Sequence, residues 1–234
     1  SQGCFSDKGA DIFAVVGEIE SLPDFKSQKR RVQDLAGVPV ASTSADRQIL
    51  RRFCYRDRNG SSAWKLRWST DGPGRKYSWS CDPDGRVSGQ GDCVPTLYEL
   101  ERASAAMKVI QCEGERDADT LNIWLKELGL TDCVATTTPN GANDVKLDYL
   151  SPLIGKVQVY LSGDNDEAGR GYVLKSGEIL NGHVTDLRLL AVPNEFKDWT
   201  EWKESGAKAN DFQELLDVAL PYRVAPPPEV NSGA

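Results

Sequence analysis

Histidine and methionine are almost missing from this sequence. Among 234 residues there is one His and one Met. A single imidazole, His183, excludes multi-histidine metal sites and leaves no His pair for acid–base work. It precedes a strand-like run, where a surface or capping role is expected. The six cysteines stand at 4, 54, 81, 93, 112 and 133, and no pair forms C-x-x-C. That spacing predicts reduced thiols of a cytosolic protein rather than a disulfide framework. Cys54, Cys81 and Cys93 are irregularly spaced, and no nearby His completes a zinc site with them. No run of 18 apolar residues occurs, which excludes a spanning helix. The start, "SQGCFSDKGAD", has neither an initiator Met nor a leader pattern and reads as a cut from a longer protein or a tag scar. The end, "VAPPPEVNSGA", has the composition of a linker.

The sequence also lacks an overall positive charge. The net charge is −7, which argues at first sight against a nucleic-acid partner. The distribution reverses that. Residues 24–86 hold 14 of the 28 basic residues but only 7 of the 35 acidic ones, so a basic segment is joined to an acidic remainder.

Residues 108–220 alternate between strand and helix patterns. Strands are expected at 108–113, 133–137, 156–162 and 183–192. Helices are expected at 117–129, within 141–153, at 166–180 and at 210–220. In the first helix Ala118, Leu121, Trp124, Leu125 and Leu128 form one stripe, closed by Gly129. The alternation predicts an α/β fold, a mainly parallel sheet flanked by helices. In such sheets function gathers beyond the carboxyl ends of the strands. Residues 50–100 differ: "ILRRFCYRDRNGSSAWKLRWS" reads as a hairpin turning at "NGSS". Trp64, Leu66 and Trp68 alternate with Lys65, Arg67 and Ser69, giving one aromatic face and one basic face. Arg56, Arg58, Lys65, Arg67, Arg75 and Lys76 are the expected nucleic-acid contacts, since they lie in the one cationic part of the chain. The first 40 residues have helical periodicity in two stretches.

The carboxylates carry the chemistry. In "LSGDNDEAGR" (161–170) an apolar run ends in Gly, and Asp164, Asp166 and Glu167 follow within four positions. Glu113 ends the first strand, Asp117 comes a turn later, and Asp198 and Glu201 fall in "KDWTEW". So many carboxylates on one rim repel unless a hard cation binds there, and mutual repulsion is expected to raise at least one pKa of the Asp164/Asp166 pair. Oxygen donors select Mg²⁺ or Mn²⁺.

"CEGERDADTL" followed by "LSGDNDEAGR" resembles the TOPRIM domain, shared by bacterial-type primases, type IA and II topoisomerases and some nucleases. Glu113, Asp164 and Asp166 match its Glu and Asp-x-Asp pattern. Asp117 matches an acidic residue of the primase branch, and Lys197, Asp198, Glu201 and Trp202 match a later "KD-x-x-D-W"-like segment, with Glu201 in place of Asp. The start, "GCFSDKGADIFAVVGEIESLPDFKSQKRRVQDLAGV", resembles the tail of a primase zinc-binding domain. Cys4 matches a ligand there, but Asp7 replaces the next, so no zinc is expected. "YRDRNGSSAWKLRW" and "TLYELERA" are similar to the region before TOPRIM in primase–helicase proteins of phages and mobile elements.

The resemblance implies four parts: a helical zinc-domain remnant at 1–44, a basic α+β lobe at 45–107, a TOPRIM domain at 108–222 and a tail at 223–234. It implies a cytoplasmic DNA primase core making short RNA primers on single-stranded DNA from nucleoside triphosphates. A replicative helicase, fused or separate, is the implied partner, and no membrane is involved. Glu113, Asp164 and Asp166 would be catalytic. Asp117, Asp198 and Glu201 would join them as metal ligands, and Arg170 and Lys197 would bind nucleotide. Two alternatives remain open: a TOPRIM nuclease, and a degenerate nucleic-acid-binding module of a replication protein.

Overall fold

The computed structural model describes residues 47–71 and 77–223, with residues 20, 21, 24, 27, 28, 31, 32, 35 and 36. The expected zinc-domain remnant and the C-terminal tail thus lie almost wholly outside the described residues, Cys4 and Asp7 included. By its internal contacts the chain divides into residues 1–48 with 68–70, and residues 49–67 with 71–234. Both sheets described below belong to the second unit, apart from Trp68.

The small sheet has the order β1–β2–β3, with β1 at Ile49–Arg56, β2 at Ser62–Trp68 and β3 at Ser78–Ser80. The expected hairpin is present. Asp57 closes its turn: Oδ1 accepts the N–H groups of Asn59 and Ser61, each at 2.9 Å, and Gly60 takes the left-handed φ of 84° that the turn requires.

Short α1 (Leu100–Ala105) leads into the large sheet. Its strands are β4 (Lys108–Gln111), β5 (Cys133–Thr136), β6 (Gln158–Leu161), β7 (Asp186–Leu189) and β8 (Leu220–Pro221), in the order β5–β4–β6–β7–β8. The first three pairings are parallel, and β7–β8 is antiparallel. The helices are α2 (Glu115–Glu127), α3 (Leu147–Leu150), α4 (Glu167–Leu180), α5 (Trp199–Glu204) and α6 (Ala209–Asp217). The expected helix within 141–153 is broken into two 3₁₀ turns around the four residues of α3.

Parallel strands are covered on both faces, and the central residues of these strands are mostly apolar. Val109, Val134, Val159 and Leu187 stand in register on one face with Leu150, Leu153 and Leu180. Ile110, Ala135 and Tyr160 face the other way, toward Ala118, Leu121, Trp124 and Leu125 of α2. On that side Trp124 stacks on Phe212 of α6 (5.4 Å, 18°) and meets Trp202 of α5 edge-on (5.4 Å, 74°). This aromatic knot fixes α5 against α2, which matters for the site. Gly129, at φ 71°, ends α2 as expected. His183 is exposed in the turn after α4, where its carbonyl accepts the Gly155 N–H at 2.8 Å. Among the described residues no helix is long and apolar enough to cross a membrane.

Candidate metal centre

Glu113 and Asp164 each follow a parallel strand, β4 and β6, at the carboxyl edge of the sheet. The Asp164 N–H donates to Glu113 Oε2 at 3.4 Å, so the two loops touch. Two glycines make the approach of α4 possible. A Cβ on Gly169 would lie 2.2 Å from the Asp164 carbonyl, and one on Gly163 would lie 2.3 Å from the Gly169 carbonyl. No side chain fits at either position, which explains the glycines of "LSGDNDEAGR".

Asp166 caps α4, its Oδ1 accepting the Gly169 N–H at 2.9 Å. That bond, aided by the nearby Lys197 charge, lowers its pKa despite slight desolvation. Asp164 behaves oppositely. Burial, then the charges of Glu113 and Asp117, push it up to about 7, with Lys197 opposing. The expectation of a mutually repelling Asp164/Asp166 pair therefore needs correction: one carboxylate is raised mainly by desolvation, and the other is lowered by a helix N–H. Glu113 is raised by burial first, then by Asp166, against the Asp164 N–H and Lys197.

The Lys197 ammonium lies 3.6 Å from Asp164 Oδ2 and 3.7 Å from Asp166 Oδ2. Asn165 brings it there. Its side-chain amide donates to the carbonyls of Phe196 (2.6 Å), Pro193 (3.0 Å) and Val192 (3.3 Å), and its N–H donates to the Lys197 carbonyl (2.8 Å). Sequence reasoning missed Asn165. The available signal was an amide wedged between two aspartates whose loop has to be tied to something. Trp199 adds a second tie, donating from Nε1 to Ser162 Oγ at 2.7 Å.

The other expected ligands have protein partners of their own. Asp117 is buried and accepts both the N–H (3.0 Å) and the hydroxyl (2.8 Å) of Thr200. Burial raises its pKa to about 6, with those bonds opposing. Asp198 caps α5 through the Glu201 N–H at 2.7 Å, and Glu201 Oε2 accepts the Lys197 N–H at 2.6 Å. Together they set the backbone that carries Lys197.

Arg170 is exposed in the first turn of α4, beside a cavity of about 310 Å³ that Asp164 and Asn165 also line. Of the expected nucleic-acid contacts, Arg75 and Lys76 lie outside the described residues. Arg56 reaches Glu101 at 3.4 Å, and Arg58 donates to Ser151 Oγ at 3.4 Å; both are exposed. Arg67 is half-buried and engaged. Lys65 corrects the picture of an open basic face. Its side chain is 12% exposed and pairs with Glu115, which is 7% exposed. It also donates to the Pro139 carbonyl at 2.9 Å. A buried carboxylate that follows Glu113 by two residues, and also accepts the Tyr55 hydroxyl at 2.7 Å, draws the ammonium inward.

Among the described residues no three His, Cys, Asp or Glu side chains converge closely enough to hold a metal ion. What does converge is two carboxylates with an ammonium between them, and a third carboxylate, Glu113, against the Asp164 backbone. That donor set suits Mg²⁺, which is bound through one or two carboxylates and fills its shell with waters and phosphate oxygens. The ammonium marks where positive charge is wanted.

Residues 103–202 match the family model described as Toprim-like. Among solved structures, the chain is similar to the zinc-binding and RNA polymerase domains of the Aquifex aeolicus primase, at 20% identity and a TM-score of 0.51. The match covers 86% of this chain and 50% of that one. It is also similar to the primase fragment of the bacteriophage T7 primase–helicase protein, at 23% identity and a TM-score of 0.51 over 70% of this chain. The chain thus spans half the length of the first and 62% of the second. At these identities the likeness is one of fold. No curated protein matches the sequence.

Proposed function

We propose that the chain is the catalytic core of a DNA primase, joining nucleoside triphosphates into short RNA primers on single-stranded DNA with Mg²⁺ or Mn²⁺. The observation that carries this reading is the meeting of Glu113 and Asp164 at the carboxyl edge of a Toprim-like sheet, on a fold shared with two primase structures. Asp164, with Asp166 or Glu113, would hold the ion. When bound, that ion neutralises charge on the transferring phosphoryl group and activates the attacking oxygen. Lys197, beside both aspartates, would turn to the triphosphate once a divalent cation takes its place. Arg170 would meet the same phosphates from α4. Asp117 and Asp198 would reach a second ion only by giving up Thr200 and the α5 cap, so their first task in this scheme is to hold α5 and Lys197. The exposed Arg56 and Arg58 would contact template phosphates. A helicase partner and a cytoplasmic place go with this reading.

The test is labelled-nucleotide incorporation on single-stranded DNA by the full chain and by Glu113→Gln. Products that depend on template and on Glu113 support the proposal, and equal incorporation by the variant counts against it.

A further inference from the structure

A second cavity, of about 300 Å³, lies between β3 and the turn after β5. Tyr77 and Trp79 form one wall, and Asn140, Asn143 and Asp144 form the other. Lys65 lies at the base, its ammonium 5.5 Å from the Tyr77 ring centroid and 5.9 Å from that of Trp79. Such a volume falls at the lower end of small-molecule sites, which combine flat apolar walls with a few polar groups that fix orientation.

The charges say what kind of molecule fits. Lys65 would attract a phosphate if it were free, but Glu115 and the Pro139 carbonyl already hold it. Asp144, on the opposite wall, is paired with Lys146 at 3.3 Å. Among the described lining residues no unpaired cation selects an anion. A flat, neutral heteroaromatic ring is favoured: its face can stack on Trp79 or Tyr77, and its edge can exchange hydrogen bonds with the two asparagine amides, which offer donors and acceptors together.

The location ties this cavity to the acidic rim. Gly141, in the same turn as Asn140 and Asn143, packs so closely on Glu113 that an added Cβ would be 3.0 Å from the Glu113 carbonyl oxygen. The Thr137 hydroxyl, at the head of that turn, donates to the same carbonyl at 2.8 Å. We infer that the Lys65–Tyr77–Trp79 cavity is a nucleobase pocket, which holds the base of a nucleotide near Glu113. The base comes either from an incoming nucleoside triphosphate or from the DNA template. This rests on the primase reading, and deepens it by assigning base recognition to the smaller lobe.

The test uses 2-aminopurine, whose fluorescence is quenched on stacking. The full chain with Mg²⁺ is titrated with 2-aminopurine riboside triphosphate. A second titration uses an oligothymidylate carrying 2-aminopurine at every third position. The variants are Trp79→Ala, which removes a stacking wall, and Asn143→Phe, which fills the cavity from an exposed turn and spares the core. Quenching in one arm is expected, with both variants binding about fivefold or more weakly, the scale of one base–aromatic stack. The arm that responds names the source of the base. No quenching in either arm, or quenching unchanged in Asn143→Phe, overturns the pocket. Primer synthesis is measured in parallel: quenching without primers keeps the pocket and removes the primase reading, and primers without quenching do the reverse.

Discussion

Asp164 stands between Glu113 and Lys197 on the acidic rim. Its pKa of about 7, like the Asp117 value of about 6, lies above the ordinary carboxylate range. Between about pH 4 and 7 the folded, metal-free chain therefore holds protons that the unfolded chain releases. Stability falls as pH rises through that window. Asp57 and Asp186 have lowered pKa values and act in the opposite sense, but below it. With a chelator present, the urea midpoint should drop from pH 4.5 to pH 7.5 in the native sequence and drop less in Asp164→Asn. Identical slopes would mean that Asp164 is not the desolvated group. Lys65 gives a second test at this scale. Removing its charge in Lys65→Met strands the buried Glu115, and the loss of half a buried pair costs on the order of 3 kcal/mol. Urea unfolding should show it, and a change within ~0.5 kcal/mol would return Lys65 to the solvated strand face that its alternation with Trp64 and Leu66 suggested. That alternation was legible in the sequence. The partner was not, because Glu115 is 50 residues away and reaches Lys65 only once the sheets pack.

At the scale of elements, α4 and its loop show how tightly the site is built. Gly169 and Gly171 are two residues apart in one helix, yet only the first is crowded. Gly169→Ala should destabilise by roughly 1–3 kcal/mol, because backbone has to move. Gly171→Ala, which meets nothing, should be neutral or stabilising by up to about 1 kcal/mol from helix propensity. Thermal melts of the two variants compare them directly, and equal effects would contradict the close packing of Asp164 on α4. Most elements were legible because the long amphipathic helices and apolar strands carry strong periods. The failures share a cause, which is shortness. The six residues of α5 carry a ligand-like motif in sequence, although Asp198 followed by Glu201 is also a helix-start pattern. The two-residue β8 falls at the end of the helix expected over 210–220. Its Leu220 pairs with Leu189, 31 residues earlier, and no local period records that. Segment 141–153 lacks a full helical stripe and became three short turns.

For the whole molecule, the sequence carried the sheet, the Glu113/Asp164/Asp166 constellation and its resemblance to TOPRIM proteins. It did not carry the division of labour inside the acidic group. Asp198 and Glu201 look like ligands in sequence, and in the fold each also accepts a backbone N–H at the start of α5, beside Lys197. That distinction depends on which N–H groups lie within reach after folding. We propose that these acids serve template-directed synthesis. The most direct measurement is one reaction of the full chain with end-labelled single-stranded DNA, differently labelled nucleoside triphosphates and Mg²⁺ or Mn²⁺, resolved on a single gel. Short RNA products that require the template and an unshortened template strand are expected, with no RNA and an equally intact template in Asp164→Asn. A degraded template with no RNA product would contradict the proposal, and would assign the same carboxylates to hydrolysis.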